Sequence, residues 1–267
     1  MKQISLRHRG TILAVALACG IAGGYSTSSL ARTPQTGPAN SRLDGEPMIF
    51  LAPDLTRQGR PIRRSGAASR GGCPSEIDPE KLIALIPETS VGLTVQANPT
   101  IWLSLPFSPA EFHSLEFVLN HESGETVYET MLRADETRPG VVSFALPKTE
   151  NSLEVDRVYN WFVTVHCQSP EQIDGQPIFA GGSILRVSPS DELNGDLTAA
   201  TTERGKAVVL ARHGIWYDAL GAIARLHPED STQEDWRQLL AAIGLDELAS
   251  QPLVDCCEPS EQAIGAE

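Results

Sequence analysis

Basic residues are scarce in this 267-residue chain: 21 Lys and Arg stand against 34 Asp and Glu, a net charge of −13. That balance argues against a nucleic-acid binder, because counterion release needs many cationic contacts to phosphate. Aromatic residues are also few, at 6%. No apolar run reaches the 18 or so residues that suggest a membrane-spanning helix. The motifs G-x-S-x-G, H-E-x-x-H, G-x-G-x-x-G and C-x-x-C are absent, and so is the Asp-x-Asp spacing of calcium loops. These absences remove the common hydrolase, zinc-protease, dinucleotide, redox and EF-hand signatures. There is no 34-residue repeat, which excludes a helical array. What remains is globular in composition, 41% hydrophobic with 22 Gly and 19 Pro.

The amino terminus reads as an address. Lys2, Arg7 and Arg9 form a positive region with no acid before Asp44, and Thr11 to Ala22 is apolar. A small-residue stretch then ends Ser29-Leu30-Ala31. This order predicts a signal peptide over 1–31, cleaved after Ala31, and an exported protein that is periplasmic or extracellular. Cys19 sits in a weak lipoprotein-like context, so lipidation is the alternative to plain cleavage.

Cleavage would leave Cys73, Cys167, Cys256 and Cys257 in an oxidising compartment. Four cysteines permit three pairings. Cys73–Cys167 is preferred because each flanks a core-forming segment. The adjacent Cys256 and Cys257 would be strained as a pair, and whether they bond within or between chains stays open. No metal site and no cofactor is expected from the His and Cys spacing.

Charge is segregated along the rest of the chain. Residues 32–72 are rich in Arg, Gly and Pro, with Arg57, Arg60, Arg63, Arg64 and Arg70 uninterrupted by an acid. They read as a flexible basic arm on an acidic body, and such an arm could tether the protein to an anionic surface through salt-sensitive contacts. The body divides into a β-rich domain (73–190), a helical hairpin (191–250) and a disordered tail (251–267).

Strands are read from period-two alternation. Ile101, Leu103 and Leu105 share one face, as do Leu115, Phe117 and Leu119, and Val142, Phe144 and Leu146. Tyr159, Trp161, Val163, Val165 and Cys167 form another such face, with Asn160, Phe162, Thr164 and His166 opposite. Turns every 10–15 residues or so argue an antiparallel β-sandwich. The run LEVDRVYNWFVTVHC (153–167) resembles the sixth strand of fibronectin type III and immunoglobulin-like domains. That resemblance implies a core role for Tyr159, Trp161 and Val163, with the Tyr159 hydroxyl bonding back to the preceding corner.

From about 199 the spacing turns helical. Ile215, Ala219, Ala222 and Leu226 share a face, and Pro228 closes the segment. Ser231-Thr232-Gln233-Glu234 reads as a capping box opening a second helix with Trp236, Leu239, Leu240 and Ile243 on its stripe. The fold class is therefore mainly β with α: an antiparallel immunoglobulin/fibronectin III-like sandwich followed by a small C-terminal helical hairpin.

Six segments together resemble a known family. They are GRPIRRSGAASRGGC (59–73), LIALIPE (82–88), GLTVQANPTIWLSLP (92–106), PGVVSFALP (139–147), YNWFVTVHC (159–167) and GIWYDAL (214–220). In order and content they resemble the exported cyanobacterial proteins grouped as domain of unknown function 928. The resemblance implies export and a two-part layout, and no activity.

Catalytic candidates are thin. His166 and Cys167 are strand neighbours, so their side chains point apart. His213, Tyr217 and Asp218 lie close in sequence and invite an acid–base reading, but a helix docking Trp216 on the sandwich explains them as well. His213, Trp216, Tyr217, Asp218 and Trp236 are instead taken as candidate interaction residues, and no residue is assigned a catalytic role. The expected function is a non-catalytic exported binding or adaptor module of the cell envelope. Its partner would be an envelope protein or polymer, with no nucleic acid and at most peripheral membrane contact. A surface-tethered structural protein held by its Arg-rich arm is the first alternative, and an enzyme of unknown reaction the second.

Overall fold

Alternating apolar residues build nine short strands among the described residues of a computed structural model. That structure describes residues 45–55, 58, 62–66, 73, 77–148, 152–169, 177–227 and 232–254. The strands are β1 (Ile83–Ala84), β2 (Val91–Thr94), β3 (Thr100–Leu105), β4 (Ser114–His121), β5 (Thr126–Arg133), β6 (Gly140–Ala145), β7 (Arg157–His166), β8 (Ile178–Arg186) and β9 (Leu253–Val254). They form a four-stranded sheet in the order β1-β3-β6-β9 and a five-stranded sheet in the order β2-β8-β7-β4-β5.

The inward faces of the sheets meet in one core. Phe117 of β4 and Phe144 of β6 stack with ring centroids 5.1 Å apart. Tyr159, Trp161, Val163 and Val165 of the central strand β7 are all buried, as their period-two spacing requires. The Tyr159 hydroxyl accepts a hydrogen bond from the Glu154 backbone N–H at 2.9 Å, tying the start of β7 to the preceding turn.

The sheets are mixed, which corrects the wholly antiparallel arrangement read from the sequence. β2 pairs with β8 in parallel, and β9 pairs with β6 in parallel. Both parallel partners are short segments that cover an edge, one of them arriving from the chain's far end. β9 therefore removes residues 253–254 from the segment read as a disordered tail.

Among the described residues four α-helices follow β8: α1 (Asp191–Ala199), α2 (Glu203–Arg212), α3 (Trp216–Leu226) and α4 (Gln233–Ala242). The two expected segments are present as α3 and α4. α2 falls in the stretch after about 199 where the spacing turns helical, and α1 was not anticipated. Its core-facing signal is a single buried Leu193, while its start is set by Ser190, whose hydroxyl accepts from the Leu193 N–H. Thr202 caps α2 in the same way through Gly205. The capping box read at 231–234 turns on Ser231, which lies outside the described residues; within them Thr232 is the N-cap position of α4, and the Glu234 carboxylate accepts from Arg237 and Gln238.

The helices are not an appendage. Sheets and helices share one hydrophobic core and one compact unit, with α3 packed on β2 and β3. Gly92 in β2 permits this approach, because a Cβ there would lie 2.7 Å from the Tyr217 ring.

Two stretches of the segment read as a flexible arm also belong to this unit. Residues 45–55 run across the helices. Met48 and Phe50 are buried, the Met48 N–H donates to Gln238 and the Leu51 N–H to the Ala211 carbonyl. Arg204 clamps Asp235 through two 2.6 Å contacts and also donates to the Glu46 carbonyl. Residues 62–66 bridge the sheets: Ser65 pairs with Ile83, and the Gly181 N–H of β8 donates to the Arg63 carbonyl. Arg64 donates to the carbonyls of Ile86 and Ile243, so it is a structural cross-brace rather than a free cation. Buried Met48, Phe50 and Leu55 carry the packing of the first stretch, and one Arg64 guanidinium nitrogen, with two N–H donors, satisfies two distant carbonyls.

Cys73 and Cys167 form a disulfide across 94 residues, with their Cα atoms 5.1 Å apart. Among the described residues, no helix is long and apolar enough to cross a membrane. The segment read as a signal peptide, with its cleavage position at Ala31, lies outside the described residues, as do Cys19, Arg57, Arg60, Arg70, Cys256 and Cys257.

Candidate functional site

The GIWYDAL segment is a seam. Gly214 adopts a φ of 72°, which lets the chain turn from α2 into α3 beneath Leu51 and Pro53. Three successive residues at the start of α3 then each anchor to the sheets. The Trp216 indole N–H donates to the Leu85 carbonyl at 2.9 Å, and Phe50 packs edge-on against the same indole at 4.8 Å. The Tyr217 hydroxyl accepts from Trp161 at 2.8 Å and donates to the Ser183 carbonyl at 3.1 Å. Asp218 accepts from the Thr94 hydroxyl at 2.5 Å and from the Val95 N–H at 3.0 Å.

This geometry corrects the candidate interaction surface. Trp216, Tyr217, Asp218 and Trp236 are buried, so none of them can meet a partner on the surface of this fold. His213 pairs with Asp196 of α1 at 2.8 Å. Burial pushes the Tyr217 hydroxyl well above its usual range, against the opposing bond from Trp161. Of the three residues that invited an acid–base reading, Tyr217 and Asp218 hold α3 to the sheets, and His213 is engaged with Asp196 of α1.

Asp218 should leave a pH signature. Burial raises its carboxyl above the usual aspartate value, and the bonds from Thr94 and Val95 only partly offset this. The folded state therefore holds the Asp218 proton more tightly than the unfolded chain does. Its contribution is full below the unfolded value of about 3.9 and is lost as pH rises through the raised folded value. The stability of the wild type relative to Asp218→Asn is accordingly expected to fall with rising pH. Paired urea-denaturation midpoints from about pH 4 to 7 measure this. A pH-independent difference would mean that Asp218 is not the titrating group.

The outer face of the five-stranded sheet carries a different kind of site. Asn120 of β4 lies opposite Asn160 of β7, which lies opposite Ser183 of β8. The next outward row is Val118, Phe162 and Gly181. A register shift between Leu119 and Asn120 distorts the β4–β5 ladder at this level, the kind of irregularity that re-aims side chains. Above these rows opens a cavity of about 460 Å3. Phe162, Phe179 and Ile62 form its apolar walls, Asn120 and Asn160 its amide wall, and Arg63, His121 and Glu122 line it as well.

Two details separate this cavity from a random surface dent. The Asn120 side-chain oxygen is buried and has no hydrogen-bond partner among the described residues, a costly state for a group that seeks one. Phe179, although aromatic, is 38% exposed. The Asn160 oxygen accepts from Ser183 at 2.7 Å, which leaves its amide nitrogen as the group it can offer. His121 stacks near Tyr159 at 4.8 Å and also lines a smaller, polar cavity of about 200 Å3 beside Glu125 and Ser152.

A family model matches the chain over residues 65–253, from the Ser65 bridge to the first residue of β9. The chain belongs to the family described as Domain of Unknown Function (DUF928). No curated protein matches it. The match to the DUF928 family contains both the α3 seam and most of the cavity wall, while Ile62 and Arg63 lie just ahead of it.

Within this DUF928 fold the sequence-derived candidates are scattered by role. Tyr159, Trp161 and Val163 are core, and Cys73 and Cys167 are bonded to each other. Arg63 is exposed at the cavity and Arg64 is braced inside the fold. His166 contacts Glu116 at 2.9 Å on the outer sheet face. Asn120, Phe179 and the pairing of Asn160 with Phe162 escaped sequence reasoning as a site. An outward strand residue reads as solvent-facing until its neighbours are known. The available signal was the phenylalanines at 162 and 179, apolar residues where alternation calls for polar ones. Among the described residues, no cluster of three or more His, Cys, Asp or Glu could hold a metal ion.

Proposed function

We propose that this protein is an exported, non-catalytic binding module of the cell envelope, and that it binds through the cavity on the outer face of its five-stranded sheet. The observation that carries this reading is the buried, unpartnered Asn120 oxygen in a wall shared with an exposed phenylalanine. A cavity of this size falls in the range of about 300–1,000 Å3 typical of ligand sites. The engagement of His213, Tyr217 and Asp218 in structural bonds supports a binding rather than a chemical role. The Cys73–Cys167 disulfide supports export, since such bonds persist in oxidising compartments. The finer description of the fold as immunoglobulin- or fibronectin III-like draws support from the Tyr159–Glu154 bond at the start of β7.

Co-sedimentation of the full chain with envelope fragments of the producing cells tests the reading. Wild type is expected to pellet with the fragments, and a variant carrying both Asn120→Ala and Phe179→Ala to remain in solution. Equal pelleting of the two proteins, or no pelleting of wild type, overturns it.

A further inference from the structure

We propose that the outer-sheet cavity is a subsite for a neutral glycan, a stretch of uncharged polysaccharide; this rests on the binding reading above and names its ligand class. A protein partner of ordinary affinity buries about 800 Å2 per side over a broad patch. Here the informative residues converge instead on one concave space of about 460 Å3.

The chemistry of the walls selects among small ligands. Sugar rings present an apolar C–H face and an equatorial rim of hydroxyls. Phe162 and Phe179 supply flat apolar surfaces, and Gly181 beside Phe162 keeps that row free of a further side chain. The two asparagines complement hydroxyls, which both donate and accept. Asn120 offers an acceptor with no partner among the described residues, and Asn160 offers N–H donation because its oxygen is already held by Ser183. A hydroxyl donating to the Asn120 oxygen would satisfy a buried polar atom that the described residues of the cavity leave orphaned.

Charge decides between neutral and ionic glycans. Among the described residues, Arg63 as a cation and Glu122 as an anion line the same cavity, with His121 also in the wall. With both signs present the site has no field that favours an anionic or a cationic polymer. A neutral, polyhydroxylated chain satisfies the amides and the rings and leaves the two charges at the solvent side, where Arg63 and Glu122 are exposed.

Isothermal titration of the full chain against cello-, malto-, manno- and chito-oligosaccharides tests the assignment, with alginate and heparin oligomers as the anionic arm. At least one neutral series is expected to bind, and Phe162→Ala and Asn120→Ala are each expected to weaken it about tenfold or more. Met131→Ala serves as the control, being 56% exposed on the same sheet but outside the cavity. Urea melts confirm that each variant is folded. Binding to anionic oligomers alone overturns the proposal, as does neutral-glycan binding that Phe162→Ala and Asn120→Ala leave intact. If no oligosaccharide binds while envelope pelleting still depends on Asn120 and Phe179, the glycan assignment fails and the binding reading stands. If both signals are absent, both fail.

Discussion

Trp216→Ala is expected to be the most damaging single substitution in the chain, lowering unfolding stability by about 3–5 kcal/mol. The indole is fully buried between the helices and the sheets. Its removal deletes most of the side-chain surface of the residue that joins them, and an aromatic of this size buries about 150–250 Å2. It also strips the Leu85 carbonyl of its indole donor and leaves Phe50 without its edge-on partner. Domains of this kind are stable by only about 5–15 kcal/mol, so the loss is a large share of the total. Urea denaturation followed by far-UV circular dichroism measures it. A midpoint shift equivalent to less than about 1 kcal/mol would mean that the α3 seam is not what couples the helices to the sheets. Phe50 is also expected to become accessible in this variant. Limited proteolysis within residues 45–55 should accelerate, because this stretch is held by Trp216, Gln238 and Ala211.

Breaking the Cys73–Cys167 bond is the second large effect. Replacing both cysteines by serine releases a closure across 94 residues. The chain-entropy account places the loss at about 4–5 kcal/mol, and measured losses for native bonds run from about 2 to 5. The bond ties the 62–66 bridge, through Cys73, to the end of β7. Its loss should therefore loosen the Ser65–Ile83 pairing and the Gly181–Arg63 bond first. Hydrogen exchange at Gly181 and Ala84, whose N–H groups donate to Arg63 and Arg64, gives a local readout beside the global urea midpoint. Unchanged exchange at both amides with an unchanged midpoint would show that the bridge stands without the bond.

Some elements were legible because their physics is local. The alternation of Tyr159, Trp161, Val163 and Val165 places one face of β7 inside whatever that face packs against. The i, i+4 spacing of Ile215, Ala219 and Leu220 with Trp216 marks α3 as helical in the same way, and Pro228 marks its limit. The disulfide partners were legible from the even count of cysteines and their places beside core segments. The family was legible from six motifs in order.

Other features were not legible, for equally physical reasons. Arg63 and Arg64 adjoin in a basic stretch, and composition treats them alike. Only the approach of β8 and of the Ile243 carbonyl separates an exposed cavity residue from a half-buried brace. Leu253 and Val254 are too few to announce a strand, and they become one because β6 offers an open edge. Trp216, Tyr217 and Asp218 looked like a surface for a partner, since nothing in a helical pattern says which neighbour covers it. The cavity is the extreme case. Asn120, Asn160, Phe162 and Phe179 come from three strands, and no window along the chain contains them all.

The amino-acid sequence by itself determined most of the longer strands, the helices α2 to α4, the inward faces of β3, β4, β6 and β7, and the preference for Cys73–Cys167 among the possible pairings. Those properties follow from period, size and count, which a chain carries before it folds. The tertiary structure decided the parallel edges, the docking of α3 through three consecutive side chains, and the assembly of the outer-sheet cavity. Each of these depends on the register between segments distant in sequence, and register is settled only when the apolar faces of both sheets and the helices are buried together.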